Sequence, residues 1–92
     1  MKITVKSFAT LRDHMDAEFA IEIQESATIA DLLTMLTERY PKLEGEIFLE
    51  DGTLKDFVNI LLNGRNIAFI KGLDSILSEG DRIALFPPAG GG

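Results

Sequence analysis

Hydrophobic and polar residues alternate in two segments near the start of the chain. Apolar residues occupy every second position in each segment, at Ile3 and Val5 in the first and at Phe19, Ile21 and Ile23 in the second. A period of two residues is typical of a strand with one buried face. The polar stretch 10–16 between them predicts a loop. The two segments therefore predict antiparallel strands joined by a long turn.

The hydrophobic period then changes to that of a helix. Apolar residues recur three or four positions apart, at Ile29, Leu32, Leu33, Leu36 and Tyr40. Thr28 and Asp31, three positions apart, are typical of a capping box at a helix start. Pro41 ends the helix, because the residue before a proline is disfavoured in the helical conformation. We expect this helix to cover the apolar face of the sheet and to bury its three leucines.

Two further segments predict a hairpin and a final strand. The apolar run 58–62 ends at Asn63-Gly64, which favours a two-residue type I′ turn because both central positions need a positive φ. A short strand through Asn66 and Ile67 would complete this hairpin. The last apolar run, 82–86, is preceded by turn residues and stopped by two prolines, which cannot donate to a sheet. The stretch 41–57 predicts a loop with about one helical turn.

The predicted order of elements is β-β-α-β-β-β, with the strands grouped around one helix. This order favours the α+β class over a parallel α/β sheet. The 92 residues are too few for two hydrophobic cores, so we expect one domain, residues 1–88, followed by a glycine-rich tail, residues 89–92. The first and last strands are expected to pair in the middle of the sheet.

Composition and charge exclude several classes of function. The net charge of −6 repels phosphate backbones, which argues against nucleic-acid binding. The same charge favours a partner with a basic surface. Alternatively, the acidic excess only keeps the protein soluble. No apolar run approaches the roughly 18 residues that a membrane span needs, and the N-terminus alternates like a strand, so a cytoplasmic protein is expected. The chain has no cysteine and therefore no thiol nucleophile or thiolate ligand.

The C-terminal tail is the segment with the clearest chemical character. The residues after the last predicted strand are Pro87, Pro88, Ala89, Gly90, Gly91 and Gly92. The prolines favour an extended path away from the body, and residues 86–92 span roughly 20 Å when extended. Glycines lack side chains that would fill a pocket, but they let a narrow channel approach the backbone closely. Any chemistry of this tail must therefore lie at the Gly92 carboxylate.

These motifs together resemble the MoaD/ThiS family of sulfur carriers. The resemblance is carried by residues 58–64, by residues 77–88, by the terminal Gly91-Gly92 and, upstream, by residues 8–12 and 28–41. The ending Phe-Pro-Pro-x-x-Gly-Gly is its most specific element. Many relatives carry Ser or Thr where this chain has Gly90, which adds flexibility without changing the register of the ending. The resemblance implies a β-grasp, ubiquitin-like fold.

The resemblance also implies a mechanism. A ubiquitin-activating-type enzyme would use ATP and Mg²⁺, bound by that enzyme and not by this chain, to adenylate Gly92. Sulfur would then displace AMP and give a thiocarboxylate for molybdopterin biosynthesis, with the large subunit of molybdopterin synthase receiving the tail. The same chemistry would serve thiamine or cysteine biosynthesis. In the modifier branch of the family, target-protein lysines attack the activated Gly92 and form an isopeptide bond.

The resemblance implies that this chain is a substrate and carrier, not an enzyme. Its implied partner-binding residues are Arg12, Leu62, Phe86, Pro87, Pro88, Ala89 and Gly90, and Gly91 and Gly92 are the reacting end. Leu62 and Phe86 are alternatively core residues. His14 and the carboxylates at positions 13, 16 and 18 match no metal site, and none is expected. A β-grasp binding module without covalent chemistry is the remaining alternative.

Overall fold

Five strands form one mixed sheet in the computed structural model, which describes residues 1–88. The strands are β1 (Lys2–Ser7), β2 (Glu18–Glu22), β3 (Asn59–Leu62), β4 (Arg65–Asn66) and β5 (Arg82–Phe86). Their order across the sheet is β2-β1-β5-β3-β4, with β1 and β5 parallel and all other neighbours antiparallel. The predicted α+β architecture and the central pairing of the first and last strands are confirmed.

One long helix, α1 (Ile29–Arg39), covers a single face of this sheet. Its start is a capping box: the Thr28 hydroxyl accepts from the Asp31 amide at 3.2 Å, and the Asp31 carboxylate accepts from the Thr28 amide at 2.9 Å. Its end precedes Pro41, as predicted. Ile29, Leu32, Leu33 and Leu36 are completely buried beneath it. The helical stripe read from the sequence is therefore the core-facing surface.

The core occupies the space between α1 and the inner face of the sheet. The strands contribute alternate residues to it, namely Ile3 and Val5 from β1, Ile21 from β2, Ile60 from β3 and Ile83 and Leu85 from β5, all buried. Since side chains alternate along a strand, the intervening residues of β1, β3 and β5 lie on the outer face. Neither helix covers that outer face.

The connections match the predictions with two differences: the predicted loop 10–16 begins with a 3₁₀ helix, Ala9–Asp13, and strand β4 is shorter than expected. Asn63 and Gly64 both have positive φ, 51° and 86°, as the type I′ hairpin requires. The region 41–57 contains one short helix, α2 (Leu43–Ile47). Strand β4 contains only Arg65–Asn66. The expectation that this strand continues through Ile67 was therefore wrong. The Asn66 side chain accepts from the Ala68 amide at 2.9 Å, which turns the chain into a 3₁₀ turn and buries Ile67.

The predicted tail, residues 89–92, lies outside the described residues. Within residues 1–88, no helix has both the length and the apolarity that a membrane crossing requires.

Replacing Thr28 with Ala tests the capping box. The substitution removes the hydroxyl acceptor from the first turn of α1, so the free energy of unfolding should fall by about 1 kcal/mol. Urea denaturation measures this change. Thr34→Ala in the same helix is the control, because the Thr34 hydroxyl only bonds back to the carbonyl of Ala30 and alanine is a better helix former. An equal loss in both variants would contradict the capping role.

Candidate functional site

The described chain ends two residues beyond β5, beside the outer face of the sheet. Ile83 and Leu85 lie on the buried side of β5, so Phe86, the last residue of the strand, faces outward. The chain then continues through Pro87 and Pro88, both half-buried. The last described residues therefore lie next to Phe86.

Phe86 is held in place by a stacked aromatic pair with Phe8. Their ring centroids are 4.3 Å apart and the ring planes differ by only 10°. The Phe8 amide donates to the carbonyl of Leu85 at 3.1 Å, which fixes the end of β1 beside the end of β5. Stacked pairs of this kind stabilise by about 0.5–1.5 kcal/mol beyond the area that they bury. The pair gives the outer face a rigid apolar centre.

Two cationic side chains lie against the Phe8 ring. The Arg12 guanidinium carbon is 5.3 Å from the ring centroid, and the Lys6 ammonium nitrogen is 5.5 Å from it. The Arg12 Nε also donates to the carbonyl of Ser7 at 2.8 Å, which orients the guanidinium. Within residues 1–88 neither cation forms an ion pair, although Glu18 is the register partner of Lys6 on β2. Their charge remains available to a partner.

Leu61 extends this surface along β3. It is the register partner of Ala84 on β5, so it lies on the outer face between the hairpin and Phe86. Together with Asn59, Phe86 and Pro87 it lines a shallow depression of about 400 Å³. We call Lys6, Phe8, Arg12, Leu61 and Phe86 the outer-face cluster. Its apolar centre and unpaired cations are features of a docking surface, since aromatic residues and arginine are enriched in interfaces.

Of the residues predicted from the sequence, the structure brings Arg12, Phe86 and Pro87 together. Leu62 lies elsewhere: its register partner is the buried Ile83, and it packs against the core on the helix side. This placement favours the core alternative for Leu62 and excludes it from the outer face. Pro88 follows Pro87 at the end of the described chain, and the predicted contacts Ala89 and Gly90 and the reacting Gly91 and Gly92 lie outside the described residues.

Three cluster residues were not among the predicted contacts: Lys6, Phe8 and Leu61. The alternation Lys6-x-Phe8 could have placed Phe8 on the polar side of β1. No comparable signal existed for Leu61, because its strand is apolar on both faces and only the register with β5 decides which residues point outward.

The single histidine lies in a structural network and not in a metal site. His14 Nε2 is 3.1 Å from Glu46 Oε1, and the Tyr40 hydroxyl donates to Asp16 at 3.2 Å. Burial raises the pKa of the Tyr40 hydroxyl, an effect that the neighbouring Arg39 opposes. These contacts fasten the loop after β1 to both helices. Among the described residues, no three metal-ligating side chains converge on one point.

Comparisons with known proteins agree with this architecture. Residues 5–92 match the model of the ThiS family. Small archaeal modifier protein 3 of Haloferax volcanii is 34% identical over the whole length of both chains. The crystal structure of SAMP1 from the same organism superposes with a TM-score of 0.88 at 33% identity over both complete chains. A structure described as a putative molybdopterin converting factor, subunit 1, from Pyrococcus furiosus gives a TM-score of 0.77 at 34% identity, covering 96% of this chain and 98% of that one.

The β-grasp prediction and the resemblance drawn from the sequence are thereby confirmed.

A double-mutant cycle on Phe8→Leu and Phe86→Leu tests the aromatic pair. Leucine keeps much of the apolar volume but removes the stacked geometry, so the two changes should couple by about 0.5–1.5 kcal/mol in the free energy of unfolding. Urea denaturation of the wild type, both single variants and the double variant gives this coupling. Additive single effects would mean that the stacking itself contributes nothing.

Proposed function

Because this chain belongs to the ThiS family of ubiquitin-like sulfur carriers and small modifiers, we propose that it carries sulfur as a thiocarboxylate on Gly92 for the synthesis of molybdopterin. The observation that carries the proposal is the arrangement at the end of β5. A rigid body presents an apolar and cationic surface beside Phe86, six residues before a C-terminal carboxylate in a segment of three glycines.

The chemistry proceeds in two steps, both at the Gly92 carboxyl group. A carboxylate oxygen attacks the α-phosphate of ATP, pyrophosphate leaves, and an acyl adenylate forms. Hydrosulfide supplied by a partner then attacks the acyl carbon, AMP leaves with the electron pair of the broken C–O bond, and the thiocarboxylate results. ATP and Mg²⁺ are bound by the activating enzyme. The localisation that goes with this proposal is the cytoplasm, where an ATP-dependent activating enzyme finds its ATP.

The contribution of this chain is positioning. It carries no cysteine for a thioester of its own, and its tail offers no side chain larger than methyl after Pro88. Affinity for a partner must therefore come from the body, and the outer-face cluster is the surface nearest to the start of the tail. Holding the body in one orientation directs the tail into the active site and lowers the entropy cost of the reaction.

Covalent modification of proteins is the second candidate function. The full-length similarity to small archaeal modifier protein 3 favours it, while the similarity to the structure described as a molybdopterin converting factor subunit favours sulfur carriage. Both functions pass through the same adenylate. They differ only in whether sulfur or a lysine amine attacks the activated Gly92.

Mass spectrometry of the C-terminal peptide from native cells separates these outcomes. Sulfur carriage predicts a Gly92 thiocarboxylate, heavier than the carboxylate by the mass difference between sulfur and oxygen. Protein modification predicts Gly92 joined to lysine side chains of other proteins. Localising the mass increase to the C-terminal peptide excludes oxidation of Met1, Met15 or Met35. If only the free carboxylate is found in cells that actively make molybdopterin, both functions are refuted.

Lys6→Glu tests the cationic part of the cluster. Reversing this exposed charge should lower kcat/KM for adenylation several-fold, mainly through slower association, and added salt should shrink the difference. The ATP–pyrophosphate exchange rate of the activating enzyme from the same genome measures it. Lys42→Glu, an equal charge reversal just before α2, is the matched control and should have little effect. An equal loss in the two variants would show that only net charge matters.

A further inference from the structure

Phe57 adopts a backbone conformation that is unfavourable for its residue type. It is the third residue of the turn 55–58, which is closed by a hydrogen bond from the Val58 amide to the Lys55 carbonyl at 3.3 Å. Its φ is +69°, in the left-handed region that turns normally fill with glycine or asparagine. A large aromatic residue at such a φ is a genuine outlier, and strain of this kind concentrates at functional sites.

Burial of the ring does not compensate for this conformation. Phe57 is 66% exposed. A phenylalanine normally stabilises a fold by burying its ring away from water, and this ring is not buried. Two side-chain hydrogen bonds hold the turn. The Asn59 side chain donates to the Phe57 carbonyl at 3.4 Å, and the Asn66 side chain donates to the Asn59 side-chain oxygen at 3.2 Å. The structure thus holds a strained backbone turn that leaves an aromatic ring exposed.

The sheet register places this residue at the end from which the tail leaves. Asn59, two residues after Phe57, is the register partner of Phe86 in the antiparallel β3–β5 pair. Phe57 precedes the start of β3 just as Pro87 and Pro88 follow the end of β5, so both segments lie at the same end of the sheet. The depression lined by Asn59, Leu61, Phe86 and Pro87 connects this end with the outer-face cluster.

We propose that Phe57 is an anchor residue whose ring enters an apolar pocket of the enzyme that adenylates Gly92. This inference rests on the proposed function, because it assumes that Gly92 is activated. Any enzyme that takes the tail must approach the body at this end of the sheet. Adenylation is the step that sulfur carriage and protein modification share, so an anchor for the activating enzyme is used in every turnover. Burial of an exposed aromatic ring at an interface is a common source of hot-spot energy.

Two substitutions at this position separate anchoring from a structural role. Phe57→Gly removes the ring and relieves the left-handed strain, whereas Phe57→Ala removes the ring and keeps the strain. An anchor predicts that both variants raise the KM of the activating enzyme for this chain by roughly tenfold, with kcat little changed. The anchor role also predicts that the melting temperature of the Phe57→Gly variant is at least that of the wild type. It should also be no lower than the melting temperature of the Phe57→Ala variant. A structural residue would instead lower the melting temperature in both.

Ile76→Ala is the matched control. Ile76 is 62% exposed, close to the value of Phe57, but it bridges to Thr28 at the start of α1, the other end of the sheet from Phe86. Its removal should leave the KM unchanged.

The assay is ATP–pyrophosphate exchange by the activating enzyme from the same genome, with wild-type chain and a variant lacking Gly91 and Gly92 as references. If the wild type supports no exchange beyond the truncated chain, the proposed function fails. If the wild type is active and both Phe57 variants match its KM, the anchor is refuted while the proposed function stands. An effect confined to later transfer of sulfur or of the activated chain would also refute it.

Discussion

The parallel pairing of β1 with β5 is the constraint on which the rest of the structure depends. Both strands are central, and their register sets Val5 beside Ile83 and Ser7 beside Leu85. Because parallel strands need a crossover, the chain between them must supply the helix and the hairpin before it returns to the middle of the sheet. The last strand is therefore held on both sides, and the chain leaves it from a fixed point.

This pairing also divides the two faces of the sheet between folding and recognition. The inner face packs on α1, where its buried aliphatic side chains supply most of the hydrophobic stabilisation. The outer face retains the stacked Phe8 and Phe86 rings with Arg12 against them.

The left-handed Phe57 costs about 1–2 kcal/mol in backbone energy, a substantial fraction of a stability that is typically 5–15 kcal/mol. A domain of this size can sustain only a few such positions.

Charge is distributed less simply than the composition indicates. The net charge of −6 led to the expectation of a basic partner surface. The tail-side surface instead contains Lys6 and Arg12 without ion pairs among residues 1–88, whereas α2 contributes Glu44 and Glu46 on the helix side. A partner that receives the outer face would therefore complement it best with carboxylates. Composition gives the total charge, but only the fold decides which face carries which sign.

The sequence was sufficient for most of the fold because its signals are local. The capping pair Thr28 and Asp31, the Asn63-Gly64 turn and the alternation in β1 each specify a conformation within a few residues. The site required more, because its members meet through strand register. Leu61 and Leu62 are indistinguishable in an apolar run, and only pairing with β5 turns one outward and the other toward the core. The strain at Phe57 had no sequence signal, since a phenylalanine in a polar loop does not reveal its φ.

Hydroxyl-radical footprinting of the chain, alone and bound to its activating enzyme with ATP, tests the central claim that the outer face and the tail-side end of the sheet form the docking surface. We expect reduced oxidation of Phe8, Leu61 and Phe86 in the complex, with Met35 on α1 and the exposed Ile76 unchanged. Protection of Met35 and Ile76 with no change at the two stacked phenylalanines would contradict it, because the enzyme would then bind the helix side.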